Sequence, residues 1–225
     1  MRLLVVASDR MEFSGFPAGA WQGLTRLVKL GGNELLLTAN GVGARRAMAA
    51  VDAAASFEPD ALVSAGFCGA LDPQLQIADI VVATCVIANG RRCAAQPLIP
   101  THDRKGVVFR AVCSVDHVVQ TATEKRTLAA SGAGAVEMEA AGVASRAAAL
   151  HLPFYCIRAV SDLAGEDLAN DFNRALTPDG HFDTMILLRG TLGRPLTRIP
   201  ELLRLRKRCV RAARALGDFF ADCRF

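Results

Sequence analysis

Five residues near the start of the chain, Leu3-Leu4-Val5-Val6-Ala7, form an unbroken apolar run. A strand covered on both faces reads this way, because neither side meets water. Residues 35–38, 61–65, 80–84, 111–115 and 154–160 repeat the pattern. A weaker strand is expected at 106–109, inside a stretch from 88 to 108 rich in Asn, Gly, Arg and Pro. Between these runs lie segments of helical length at 44–57, 124–130 and 136–150. Gly41-Val42-Gly43 opens the first and Glu58-Pro59-Asp60 closes it, while His151-Leu152-Pro153 closes the third. This alternation predicts an α/β fold with a central, mostly parallel sheet flanked by helices. The nearest thing to a boundary is 190–200. Residues 1–190 therefore read as one domain, and 191–225 as an appended basic helix packed on it.

Composition narrows the picture. The chain has 225 residues, 52% of them hydrophobic and 21% charged, enough for one sizeable core. Aromatic residues make up only 6%, so that core must be built mainly from Ala, Val and Leu. A net charge of +4 is too mild to argue for nucleic acid. The seven cysteines are scattered without a C-x-x-C pair, which argues for reduced thiols and a cytoplasmic protein. The histidines, His102, His117, His151 and His181, lack ligand spacing, so no metal site is expected. No apolar run approaches a membrane span.

Two segments carry the chemistry. Val136-Glu137-Met138-Glu139-Ala140-Ala141 sets two carboxylates at the head of an alanine-rich helix. Residues two apart on a helix point about 200° apart, so one acid can face a pocket while the other meets the helix terminus or solvent. Ile157-Arg158-Ala159-Val160-Ser161-Asp162 then ends an apolar strand on an acid. Ligands bind at the carboxyl ends of strands in open α/β sheets, and partial desolvation there disfavours a carboxyl's charged form. Simple readings compete: first-turn acids on a helix dipole, or an aspartate capping a turn. Gly66-Phe67-Cys68-Gly69 follows another strand, and its glycines allow close approach to a ligand or a tight turn. No dinucleotide fingerprint or Walker lysine is present.

Taken together, these segments resemble the purine nucleoside phosphorylase and 5′-methylthioadenosine/S-adenosylhomocysteine nucleosidase superfamily. The similarity runs over about residues 1–190. It rests on the opening strand leading to Glu12, the segment from Ser64 to Leu71 with Asp79-Ile80-Val81-Val82, and the two acidic motifs. The resemblance implies a three-layer fold and cleavage of a purine N-glycosidic bond without a cofactor. It implies that Asp162 protonates the base at N7, with Ser161 orienting it. It gives Glu139 the ribose hydroxyls, Met138 the sugar face, and Glu12 the activation of water with Arg158 beside it. Glu137, Gly66, Phe67 and Cys68 would border the substrate, and Val118 and Val119 the purine. The chemistry is coherent, because a cationic sugar needs a carboxylate beneath it and the leaving base needs a proton.

Two departures stand out. Ser64 and Phe67 occupy positions where the phosphorylase branch binds phosphate through an arginine and a serine. Water is therefore favoured over phosphate, unless Arg45 or Arg46 supplies the charge; in phosphorolysis, phosphate would be a co-substrate. The second departure is the tail from Leu202 to Arg211, basic and partly amphipathic. It reads either as a solvated helix or as a peripheral membrane contact. With Phe67, it resembles the hopanoid-associated phosphorylase-like branch, which would imply a lipid-linked adenosine. The expected activity is hydrolysis of a 5′-substituted adenosine by a homodimer that does not bind nucleic acid. Phosphorolysis and a non-catalytic nucleoside-binding module remain the alternatives.

Overall fold

The computed structural model describes residues 1–98 and 105–225. His102 and part of the 88–108 stretch lie outside the described residues. The first apolar run forms β1 (Arg2–Ala7), and a 3-10 turn, Arg10–Phe13, follows it. Next come β2 (Thr25–Leu30), β3 (Asn33–Ala39), α1 (Ala44–Ala53), β4 (Ala61–Ala70), β5 (Ile80–Ala88) and β6 (Arg91–Ala94). The chain continues through β7 (Val107–Ser114), α2 (Ala122–Ala129), β8 (Ala133–Glu137), α3 (Ala140–Leu150) and β9 (Phe154–Asp162). It ends with α4 (Phe172–Ala175), α5 (Thr184–Leu192) and α6 (Pro195–Asp222).

The described strands form one mixed sheet. β1 pairs in parallel with β3 and β4, and β4 in parallel with β9. β9 meets β5 antiparallel, β5 meets β7 in parallel, β7 meets β8 in parallel, and β8 returns antiparallel to the end of β4. Strands β4, β9, β5, β7 and β8 therefore close a ring within this sheet. A register shift between Cys68 and Gly69 lets β4 serve both β9 and β8.

Period-2 alternation divides the core into layers. Leu4 and Val6 face Ala47, Ala50 and Val51 of α1 and Val143, Ala144 and Ala147 of α3. Leu3, Val5 and Ala7 face the other way, towards Phe13, Phe16 and Ala212, Leu216, Phe219 and Phe220 of α6. The basic tail thus contributes a full layer of core. Its exposed charges are one face of a helix whose other face is apolar.

The helix expected at 136–150 begins later. Ala133-Gly134-Ala135-Val136 is buried and pairs with β4 and β7, so extended backbone persists through Glu137. Glu137 and Glu139 are therefore not on a common helix. One ends β8, and the other is the N-cap of α3. β2, β6 and α5 were not anticipated either. β7 joins what the sequence presented as two strands: Arg110 interrupts its apolar run but still pairs with Ala83, and pairing with β5 resumes after a register shift at Val112.

Candidate functional site

Glu12 is fixed by the 3-10 turn after β1. Asp9 caps that turn by accepting from the Met11 amide, while Glu12 reaches back to the Asp9 amide. This is a reciprocal capping box. Glu12 Oε2 also accepts from the Ser8 amide at 2.8 Å and the Ser8 hydroxyl at 2.9 Å, and Oε1 accepts from the Phe67 amide at 2.7 Å. The carboxyl is buried. Burial raises its pKa above the ordinary range, opposed by the Arg158 charge and these donors.

Gly66 and Gly69 explain themselves against the acids. Gly66 has φ +138°, and a Cβ there would stand 2.4 Å from Glu12 Oε1. A Cβ on Gly69 would stand 2.9 Å from Asp162 Oδ2. The close approach allowed by these glycines is to the protein's own carboxylates.

Glu137 Oε2 accepts from the Glu139 and Ala140 amides, each at 2.8 Å, and so caps α3 from outside the helix. It also accepts from Arg158 Nη2. Glu139 Oε1 accepts from the Gly43 amide at 2.9 Å, and Oε2 from Arg158 Nη1 at 3.3 Å. Burial pushes the Glu139 carboxyl up to about 7 despite the Arg158 charge, and Glu137 and Glu12 push it the same way. Arg158 is fully buried in mid-β9 and also donates to the Ser64 hydroxyl at 2.6 Å. The sequence reading put Arg158 beside Glu12. Its direct partners are instead Glu137 and Glu139, and it reaches Glu12 through its field. Ser64 is enclosed with Arg158 and does not border the cavity.

Asp162 ends β9. Its Oδ1 lies 2.8 Å from the Ser161 hydroxyl, which is also 3.1 Å from the Cys68 carbonyl; one proton can serve only one of them at a time. Oδ2 accepts from Lys125 Nζ at 2.5 Å. Lys125, on α2, has no exposed surface, and its ammonium also donates to the Leu163 carbonyl at 2.7 Å. Sequence reasoning missed it and assumed an acid set only in apolar surroundings. The available signal was Lys125 sharing a helical face with Ala122 and Leu128, in a helix with little other apolar surface.

These groups surround a cavity of about 430 Å³. Met138, Phe67, Cys68, Val118, Val119 and Ser161 line it, as expected for a substrate site; Gly66 and Arg158 lie behind it. Asp9, Glu12, Glu137, Glu139 and Asp162 also border it, and among the described residues no Lys or Arg does. Arg46, a candidate anion ligand, pairs instead with Asp179 at 2.9 Å. His117 was not singled out by the sequence, yet it lines the cavity and bridges Asp116 and Glu124 at 2.8 and 2.6 Å. Hydrogen bonds to the carboxylates of Asp116 and then Glu124 raise its pKa.

Comparison with known proteins agrees with this architecture. The chain belongs to the phosphorylase superfamily, whose family model matches residues 4–117 and 101–179. A 5′-methylthioadenosine/S-adenosylhomocysteine nucleosidase of Staphylococcus saprophyticus is 29% identical over 175 residues, covering 66% of this chain and 77% of that protein. The S. pneumoniae nucleosidase of the same name, solved with the transition-state inhibitor MT-ImmA, superposes with a TM-score of 0.71 at 17% identity over 99% of both chains. Futalosine hydrolase of Helicobacter pylori gives 0.65 at 15% identity, over 97% of this chain and 94% of that one. The α/β architecture expected from the sequence is therefore the fold these proteins share.

Proposed function

We propose that this protein hydrolyses the N-glycosidic bond of a 5′-substituted adenosine and releases adenine. The observation that carries this reading is the cavity wall, five carboxyl-bearing residues and no Lys or Arg among the described residues. Such a wall favours a cationic sugar and repels phosphate. The similarity to named nucleosidases supports the same substrate class.

In this reading the proton shared between the Lys125 ammonium and the Asp162 carboxylate passes through Asp162 to N7 as the C1′–N9 bond breaks; Lys125 is left neutral, and the bonding electrons leave with the base. Lys125 and Ser161 hold the two oxygens of Asp162 in place. Glu139 accepts the ribose hydroxyls, with bonds that strengthen as the sugar becomes cationic. Water attacks C1′ and loses a proton to Glu12, whose raised pKa suits a base working near neutrality. No step requires a cofactor. The apolar wall formed by Phe67, Met138, Val118, Val119, Phe172 and Leu205 suits the purine and an apolar 5′-group. We take the working form to be a cytoplasmic homodimer, which sedimentation velocity tests.

The deciding experiment follows adenine release from 5′-methylthioadenosine with phosphate replaced by an inert buffer. Unchanged release and free 5-methylthioribose support hydrolysis. A strict phosphate requirement with a ribose 1-phosphate product would overturn it in favour of phosphorolysis. No release under either condition would leave the binding-module alternative.

A further inference from the structure

The chain's charge is unevenly placed. Residues 184–214, which span α5 and most of α6, hold nine Lys and Arg against the single acid Glu201, a net charge of +8. The remaining 194 residues hold 17 Lys and Arg against 21 Asp and Glu, a net −4. Glu201 is buried and spent on the Ala169 and Asn170 amides, so it does not offset the surface charge. Arg208 is answered by Glu166. Arg189, Arg194, Arg204, Arg206, Lys207 and Arg211 are exposed.

The same segment exposes apolar side chains. Met185, Leu188 and Leu192 recur at helical spacing on α5, and Leu196, Ile199 and Leu203 do so on α6. Leu196 is 91% exposed, Leu192 58% and Leu203 56%. Leu192 and Leu196 flank the corner where α5 turns into α6, and the outer face of α6 continues from leucines into Arg204, Lys207 and Arg211. An apolar tip followed by a cationic stripe matches an anionic bilayer surface, which takes up the leucines at the headgroup boundary and the cations at the phosphates.

We infer that the α5–α6 corner docks this protein on anionic lipid surfaces. A second copy of the chain fits less well, because a two-fold contact would oppose like charges. A nucleic acid would satisfy the cations and leave the leucines in water. Docking would also set the cavity close to the bilayer. Phe182, just before α5, and Leu205 and Cys209 of α6 are part of its wall. The inference stands independently of which nucleoside is cleaved.

The test is co-sedimentation of the full chain with vesicles of phosphatidylcholine alone or with about one-third phosphatidylglycerol. The variants are Leu192→Ser with Leu196→Ser, and Arg204→Gln with Lys207→Gln; none of these residues lines the cavity. Binding is expected only to the anionic vesicles, falling steeply with salt and by about tenfold or more in each double variant. Release of adenine from soluble 5′-methylthioadenosine should stay unchanged, showing that the variants fold. Absence of binding, or binding indifferent to both variants, would overturn the proposal. So would a wild-type dimer that becomes monomeric in the leucine variant, or duplex DNA bound more tightly than the vesicles.

Discussion

Replacing Gly66 with alanine tests the placement of Glu12 directly. The added Cβ would stand 2.4 Å from Glu12 Oε1, 2.9 Å from its Cδ and 3.0 Å from Arg158 Nη1. Ordinary contact begins at 3.4 Å, so Oε1 must retreat by about 1 Å. That oxygen is the acceptor for the Phe67 amide at 2.7 Å, and the same shift would stretch the bond beyond hydrogen-bonding range. The positive φ adds backbone strain of about 1–3 kcal/mol for a residue with a side chain. A displacement of this size at a reacting group costs on the order of 10²-fold in rate. The assay is kcat for adenine release from 5′-methylthioadenosine, with a thermal melt alongside. The expected result is a loss of about two orders of magnitude in kcat with the fold retained. Gly69→Ala should act in parallel through Asp162, whose Oδ2 it would meet at 2.9 Å. A Gly66→Ala enzyme within about threefold of wild type would refute the reasoning, since Glu12 could not then depend on this close approach.

Three further outcomes are expected. Asp162→Asn should lose roughly 10²-fold or more in release of an unactivated nucleoside, measured as kcat, because an amide cannot deliver a proton to N7, and should lower Tm as well, because it leaves the buried Lys125 ammonium without its counter-charge. Lys125→Met should leave the Asp162 carboxylate buried without its cation, costing about 3–5 kcal/mol and lowering Tm by about 10 °C. Adding Asp162→Leu should recover part of that loss, and no recovery in a thermal melt would argue against the pair. The Glu139 carboxyl is raised from an ordinary 4.5 to about 7, so the folded state binds its proton more tightly than the unfolded chain does. Its contribution to stability is then full below about 4.5 and lost as pH rises through about 7, while catalysis needs the ionised form and gains over the same window. Denaturant unfolding at pH about 5 and about 8 should show stability falling in wild type, with a smaller fall in Glu139→Gln; a rise with pH would contradict this.

The sequence declared most of the sheet because buried parallel strands are near-continuous apolar runs, as β1, β4 and β9 are apart from a few polar positions such as Ser64 and Arg158. It hid β2, whose Thr25-Arg26-Leu27-Val28-Lys29-Leu30 mixes charges into an edge strand. It hid β8 because Ala133 to Val136 is a run of small residues directly before a real helix, and period alone cannot separate the two. Pairing with β4 and β7 decides the matter, and pairing is not a local property. The acids of the site were legible for the opposite reason. Glu137 and Asp162 end apolar runs and Glu139 opens one, where a charge is conspicuous; Glu12, in the polar stretch after Ala7, was reached only through the family resemblance. Arg158 was legible as a charge inside such a run, although its partners were not. Lys125 lies in a helix with polar neighbours, where only its place on the face of Ala122 and Leu128 marks it as buried.

The arrangement of buried charge supports a single account of the site. Four carboxylates, Glu12, Glu137, Glu139 and Asp162, are buried with two cations, Arg158 and Lys125. Neither cation borders the cavity; each stands behind carboxylates and contacts them. A substrate would therefore meet the carboxylates first. Burying uncompensated charge is costly, which is why the amides of Phe67, Glu139, Ala140 and Gly43 are aimed at these acids. A neutral nucleoside gains little from such a surface in its ground state, whereas a ribose becoming cationic gains more as its charge develops. That difference between the two states is what accelerates a reaction. A phosphate nucleophile would have to enter the same field against it, so the negative wall that assists departure of the base also leaves water as the fitting nucleophile.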